Sequence, residues 1–185
     1  VRDINEHYIL GGCKNVSLRQ VLHKKLGEEK KYCKCIRCRS AKDDTIDKHH
    51  KLKIDKFESS GGTEYFISYV SRDEMVLYGF CRLRLPPKDA SSHQIGEIRG
   101  CALVRELHVY SSLTPVKSGK VSDVVSGVQH KGFGKRLLAK AEQIASVNSY
   151  RDVAVISGVG VRNYYRQRGY ELDSTYMVKH MDMLD

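Results

Sequence analysis

No stretch of this sequence approaches the roughly 20 consecutive apolar residues that a membrane-spanning helix needs, which argues against a helical membrane protein. The N-terminus carries no charged-then-apolar leader pattern. It begins at Val1 rather than Met, which reads as a piece cut from a longer chain. Acidic residues are in deficit, with 22 Asp and Glu against 32 Lys and Arg, for a formal charge of +10. That imbalance points to a polyanionic partner, since every neutralised phosphate releases counterions. The plainer alternative is a generally basic surface. A membrane surface is disfavoured because no long basic amphipathic stretch is present. Proline is scarce, at three residues, and Pro86-Pro87 closes a strand-like run. A disulfide framework is not expected in a chain that reads as cytoplasmic, so the six cysteines are expected to be ligands or core residues.

What is present suffices for one domain and a small appendage: 185 residues, 41% hydrophobic and 29% charged. Residues 1–50 read as a linker segment, with a helix from Asn15 to Leu26, then a basic run from Lys30 to Arg39 holding a cysteine cluster, then a polar connector. Residues 51–185 read as the main domain. Leu52–Phe57 and Glu64–Val70 alternate apolar and polar residues around a Gly61-Gly62 turn, and Val76–Leu85 and Ala102–Tyr110 continue an antiparallel meander. A long helix follows from Gly132 to Val147, with Leu137, Leu138, Ala141, Ile144 and Ala145 on one face. Val153–Ile156 is continuously apolar and reads as a buried central strand. Asn163–Arg168 reads as a short helix and Tyr170–Val178 as a last strand. The order implies an α/β (α+β) fold with a mixed central sheet flanked by helices.

Gln129-His130-Lys131-Gly132-Phe133-Gly134 precedes the long helix. Glycines there let backbone N–H groups curl around phosphate oxygens, and the helix N-terminus adds its partial positive charge. Lys131, Lys135 and Arg136 add full charges at the same end. A Gly-x-Gly alone is a weak signal and is often only a turn. Three features strengthen it: a strand Glu106-Leu107-His108-Val109 able to splay from its neighbour and pair with pantetheine amides, the apolar strand at Val153, and Asn163-Tyr164-Tyr165 beyond it.

The Gln-x-x-Gly-x-Gly pattern resembles the acetyl-CoA signature of the GNAT acetyltransferases. More narrowly, Arg105–Tyr110, Gln129–Gly134, Ala154–Gly160 and Arg162–Arg166 resemble the acetyltransferase domain of the Elongator catalytic subunit family. Val1–Ile4 and Asn15–Arg39 resemble the segment after that family's radical SAM domain, so the likeness covers most of the chain in matching order. The resemblance implies a GNAT fold, acetyl-CoA as cofactor, and a part in carboxymethylating the wobble uridine of transfer RNA. It also implies a radical SAM domain or an Elongator-like chain as partner. Slow acetyl-CoA hydrolysis is what such a domain would do alone. Protein lysine is an alternative acceptor, and a non-catalytic acetyl-CoA- and RNA-binding module is a third reading. The radical SAM domain's cysteine triad is absent, and the loop from Ser111 to Val128 diverges from the family.

Acyl transfer from a thioester needs a positioned carbonyl, donors for the oxyanion and a proton for the thiolate. Backbone N–H groups between Leu107 and Val109 are the candidate donors. Tyr165 is the preferred general acid, and by resemblance it also contacts acetyl-CoA. Adjacent rings on a short helix cannot face the same way, so one of Tyr164 and Tyr165 packs instead. Glu106 is a candidate base, or simply a strand carboxylate paired with an arginine. His108, on the same side of the strand, is a possible relay or a core histidine. His130 lies in the cradle, with a backbone contact to phosphate or adenine favoured over catalysis.

Cys33-Lys34-Cys35-Ile36-Arg37-Cys38 offers three thiolates within six residues, and a Cys-x-Cys-x-x-Cys turn supplies three of the four ligands zinc requires. Cys13, His49 and His50 are candidates for the fourth. By resemblance this would be a structural zinc between two domains; the alternative is free surface thiols. Lys30, Lys31, Lys34, Arg37 and Arg39 form the densest basic patch. Such a run is often just a solvated face, but beside a zinc turn it is read here as a transfer RNA phosphate contact.

Overall fold

The structure, a computed structural model, describes residues 17–41, 46–88, 95–110 and 132–181. These divide into two compact units at Arg39/Ser40. The first unit carries α1 (Leu18–Glu28) and the single turn α2 (Ile36–Arg39). None of α1's residues is buried, so this helix has no core of its own to fold around. Among the described residues no helix is long and apolar enough to cross a membrane.

The second unit is a seven-stranded mixed sheet. Its strands are β1 (Lys51–Ser59), β2 (Gly62–Val70), β3 (Leu77–Leu85), β4 (Ala102–Val109), β5 (Asp152–Val155), β6 (Glu171–Asp173) and β7 (Tyr176–His180). Their spatial order is β1-β2-β3-β4-β5-β7-β6. β1 to β4 form an antiparallel meander, and β4 and β5 are the parallel pair at the centre. The helix α3 (Phe133–Val147) is the crossover between β4 and β5, as a parallel connection requires. It buries Phe133, Leu137, Leu138, Ala141 and Ala145 on one stripe. That stripe packs on Ile67, Cys81, Leu83, Val104, Val153 and Val155 of the sheet. A smaller apolar cluster of Ile98, Cys101, Leu103 and Ala154 forms separately, with Tyr176 and Val178 against it. The reading of Val153–Ile156 as a buried strand holds for Val153, Ala154 and Val155, but Ile156 lies beyond the end of β5 and is 57% exposed.

One element differs from the sequence reading. Tyr170–Val178, read as a single strand, is a β6–β7 hairpin that turns at Ser174 with φ +52°. The turn uses Asp173 and Ser174 rather than glycine or proline, a weaker marker in the sequence.

β4 is irregular at one point. Its register with β3 runs from Leu83↔Val104 to Arg82↔Glu106, leaving Arg105 as an extra residue. Such a bulge re-aims the strand and increases its twist. The Arg105 side chain is held by Glu64, whose Oε1 accepts a 2.9 Å bond from Arg105 and a 3.0 Å bond from Arg84. The Glu64 side chain is only 4% exposed, so both ion pairs act at a desolvated carboxylate. Removing such a carboxylate strands its partners. Glu64→Ala is therefore expected to lower unfolding free energy by about 2–3 kcal/mol in a urea titration; a change below about 0.5 kcal/mol would show that the pairs merely decorate the sheet.

Candidate functional site

Beyond the bulge, β4 loses its neighbour on one side. Its parallel pairing with β5 covers only Ala102↔Val153, Leu103↔Ala154 and Val104↔Val155, with a last 3.5 Å bond from the Ile156 N–H to the Val104 carbonyl. From Arg105 to Val109 the strand pairs with β3 alone. At Glu106–Val109, where the sequence suggested a splay, no described strand other than β3 pairs with β4, so backbone groups on that edge have no partner strand among the described residues.

The start of α3 lies against this edge. Gly132, its N-cap, has φ +71°, the left-handed region that glycine enters without strain. No side chain caps the helix and its first turn holds no acidic residue, so its leading N–H groups point outward unopposed. Lys135 and Arg136 add charge in the first turn, and Arg136 also rests over the rings of Tyr69 and Phe133 at 4.8 and 4.9 Å. Phe133 anchors this end by stacking on Tyr69 at 4.5 Å. Gln129, His130 and Lys131 lie outside the described residues.

Gly134 ties the pieces together. A Cβ built there would stand 3.0 Å from the Tyr164 hydroxyl and 3.6 Å from Val109 Cγ2. The end of β4, the head of α3 and the short helix α4 (Arg162–Arg166) therefore meet at one residue where even a Cβ would crowd the Tyr164 hydroxyl. The Tyr164 ring is fixed by the Arg168 guanidinium, stacked 3.5 Å from its centroid and donating to the Tyr164 carbonyl. Among the described residues the buried Ser157 hydroxyl, just after β5, has no hydrogen-bond partner, and the buried Tyr164 hydroxyl meets no partner besides the Arg168 guanidinium beside it. Buried hydroxyls in that condition are costly unless something outside the chain completes them. Burial pushes the Tyr164 phenol above its usual value of 10, so it carries its proton at neutral pH.

The other predicted residues fall as follows. Tyr165 is buried, edge-on to Tyr170 at 5.7 Å and to Tyr164 at 5.2 Å, and burial pushes its phenol up to about 12. Asn163 is exposed on α4. Glu106 is half exposed, its carboxylate 3.9 Å from Arg82. His108 is exposed, stacked on Phe80 at 5.9 Å and tilted against Tyr110 at 4.5 Å. Leu107 and Val109 are half-buried. Sequence reasoning did not single out Ser157 or Gly134's contact with Tyr164, because neither has a motif beyond the loop itself.

A second candidate site lies in the first unit. The thiol sulfurs of Cys33, Cys35 and Cys38 all lie within 4.8 Å of one another, the only such metal-capable cluster among the described residues. The Cys38 N–H bonds the Cys35 sulfur, and this above all, with further bonds from Cys38, Cys33 and Arg19, lowers the Cys35 thiol to about 6. Burial, then bonds from Cys35 and Cys33, raise Cys38 to about 11. Three clustered soft donors with an N–H on sulfur fit a thiolate metal centre. Cys13 lies outside the described residues; His50 belongs to the second unit, where it packs edge-on to Phe133 and is bonded through Nδ1 to the Asp47 carbonyl. Around the cluster, Lys30, Lys31, Lys34 and Arg37 are exposed and Arg39 is half-buried, with Lys31 bound to Glu29 at 2.7 Å. Tyr32, passed over in the sequence, is 74% exposed within this basic run.

No protein-family model matches the chain. A tRNA uridine(34) acetyltransferase of Dehalococcoides mccartyi is 40% identical over 190 residues, covering 98% of this chain and 39% of that protein. Elongator complex protein 3 of Homo sapiens is 37% identical over 186 residues, covering 96% of this chain and 32% of that protein. Among solved structures, an N-terminally truncated Elp3 of Methanocaldococcus infernus superimposes with a TM-score of 0.75 at 33% identity, over 97% of this chain and 43% of that one. The chain thus spans about a third to two fifths of these relatives' length.

Because the buried Tyr164 hydroxyl meets only the Arg168 guanidinium among the described residues, Tyr164→Phe is expected to leave stability unchanged or raise it by about 1 kcal/mol. A loss above about 1 kcal/mol in thermal or urea unfolding would mean that the hydroxyl has an internal partner.

Proposed function

The chain belongs to the family of Elongator complex protein 3 and the tRNA uridine(34) acetyltransferases, corresponding to its GNAT-type acetyltransferase domain, and on that premise we propose that it binds acetyl-CoA where β4 and β5 diverge and delivers the acetyl group in tRNA wobble-uridine modification. The observation that carries this reading is the meeting of Gly134, Val109 and the buried Tyr164 hydroxyl beside a strand edge that no other described strand pairs with.

Each part has a task. The uncapped N-terminus of α3, with Gly132, Phe133, Gly134 and Lys135, offers N–H donors and charge to phosphate oxygens, joined by Gln129, His130 and Lys131 of the preceding loop. The free edge of β4, Glu106 to Val109, offers amide and carbonyl groups to an extended amide chain, as a neighbouring strand would. When bound, acetyl-CoA supplies an activated thioester carbonyl. The Leu107 and Val109 N–H groups, which alternate away from β3, face the side where they can donate to its oxygen. Tyr164 holds a proton that its burial keeps in place, ready for a departing sulfur. Tyr165 supports it as a packed neighbour, and Glu106 and His108, on the exposed part of β4, are left to receive a proton from the acceptor side.

Transfer RNA is assigned to the first unit. Lys30, Lys31, Lys34, Arg37 and Arg39 provide phosphate contacts, and the exposed Tyr32 adds a ring for an unpaired base. The cysteine cluster holds this segment as a structural zinc site. The remainder of the catalytic assembly, a radical SAM domain or Elongator-like chain, comes from outside these residues, and tRNA chemistry places the protein in the cytoplasm.

Gly134→Val is expected to abolish acetyl-CoA binding in calorimetry, whereas Tyr164→Phe should retain binding and cut acetyl-CoA turnover about 100-fold. Equal turnover in wild type and Tyr164→Phe would remove the acid role. Affinity for tRNA should fall about 100-fold between 50 and 200 mM salt if about four phosphates are neutralised; an affinity indifferent to salt contradicts the assignment of the basic run.

A further inference from the structure

The extra residue in β4 decides which backbone groups reach the open edge. Before it, Val104 packs in the core under α3 and its carbonyl points to the β5 side, where it accepts the Ile156 N–H. Leu107 is three positions on, so unbroken alternation would turn Leu107 and Val109 away from α3 and aim their N–H groups at β3. Glu106 and His108 would then face the apolar core. With Arg105 left out of the ladder, Glu106 stands opposite Arg82, Leu107 opposite Cys81 and His108 opposite Phe80. Leu107 and Val109 now pack against the core that contains Cys81, and His108 stacks on Phe80 on the other face. The Tyr110 N–H bonds the Tyr78 carbonyl on β3, so Leu107 and Val109, out of step with it, turn theirs to the open edge.

A one-residue slip of β4 would restore regular pairing, so something has to hold Arg105 out of it. The holder is Glu64, 4% exposed, whose Oε1 accepts from Arg105 at 2.9 Å and from Arg84 at 3.0 Å. Arg84 is itself fixed, donating to the Ser59 and Ser60 carbonyls of the β1–β2 turn at 3.0 Å each. Drawing Arg105 back into the ladder would take one of two cations from a desolvated carboxylate.

We propose that Glu64 and Arg105 are positioning residues for acyl transfer: their ion pair holds the bulge and so selects Leu107 and Val109, rather than Glu106 and His108, to present N–H groups to the thioester carbonyl. This rests on the acetyl-CoA reading given above. Neither side chain touches the reacting atoms; each acts through the phase of the strand.

Arg105→Ala is the discriminating variant, because it leaves the Arg84–Glu64 pair and its anchor in place. In the free chain, the Tyr110 amide should exchange about 10-fold faster by NMR while α3 and β5 stay as in wild type. With isotope-labelled acetyl-CoA bound, the infrared carbonyl band, lowered in wild type by the N–H donors, should return toward its value in water. Turnover should fall about 10-fold with the acetyl-CoA KM changed less than about twofold. Arg105→Lys should recover part of the loss. Glu64→Gln combined with Arg105→Ala should be no slower than Arg105→Ala alone, since both break one contact. Wild-type Tyr110 exchange and an unmoved carbonyl band in Arg105→Ala would overturn the proposal. So would a loss confined to RNA affinity, which would make Arg105 an acceptor contact instead. A wild-type chain that binds no acetyl-CoA overturns the cofactor reading, and with it the catalytic role proposed for the pair; Tyr110 exchange in Arg105→Ala then separately confirms or overturns its hold on the bulge.

Discussion

Hydrogen bonding along β4 runs out on its β5 side after Val104, and the remainder of the domain is arranged around that gap. Unpaired backbone groups inside a fold must find a partner or water, so a central strand with a free edge is a site waiting for an extended ligand. The bulge at Arg105 turns the strand at the point where pairing ends. Buried Glu64 holds the bulged side chain from two strands away, across β3. α3 lies over the same sheet face that its buried stripe packs against, which sets its N-terminus beside Val109. The fold and the proposed acetyl-CoA site are therefore one construction, with the site at the place where pairing among the described strands is incomplete.

Preorganisation at this point is visible in what the side chains lack. The Tyr164 ring is clamped by Arg168, and the buried Ser157 hydroxyl just after β5 has no hydrogen-bond partner among the described residues. Gly134 removes the one Cβ that would fill the space. Positioning a proton donor rigidly in a dry setting keeps it neutral and ready for a group that develops negative charge.

Much of this was legible in the sequence. The stripe of α3 follows a helical period, β1 and β2 alternate, and the Val153–Val155 run has the apolar character of a strand buried on both faces. The strand before the glycine loop, the loop's Gly132–Gly134 and Tyr164 were named in the sequence, and the structure brings Val109, Gly134 and Tyr164 together. What was hidden depends on three-dimensional contact. Two adjacent tyrosines look alike in sequence, and only the packing of Tyr165 on Tyr170 and of Tyr164 on Gly134 separates their roles in the mechanism proposed here. The bulge at Arg105 needs its partner strand to be defined, and the turn at Asp173-Ser174 carries neither glycine nor proline to mark it strongly.

The central claim is that acetyl-CoA completes the gap beside β4, and amide hydrogen exchange with and without acetyl-CoA tests it most directly. Saturating ligand should slow exchange at Leu107–Val109, at the first turn of α3 and around Ser157–Tyr164, while β1, β2 and α1 stay unchanged. Protection spread over the β1–β2 hairpin or confined to the first unit, or none at all at saturation, would contradict the account.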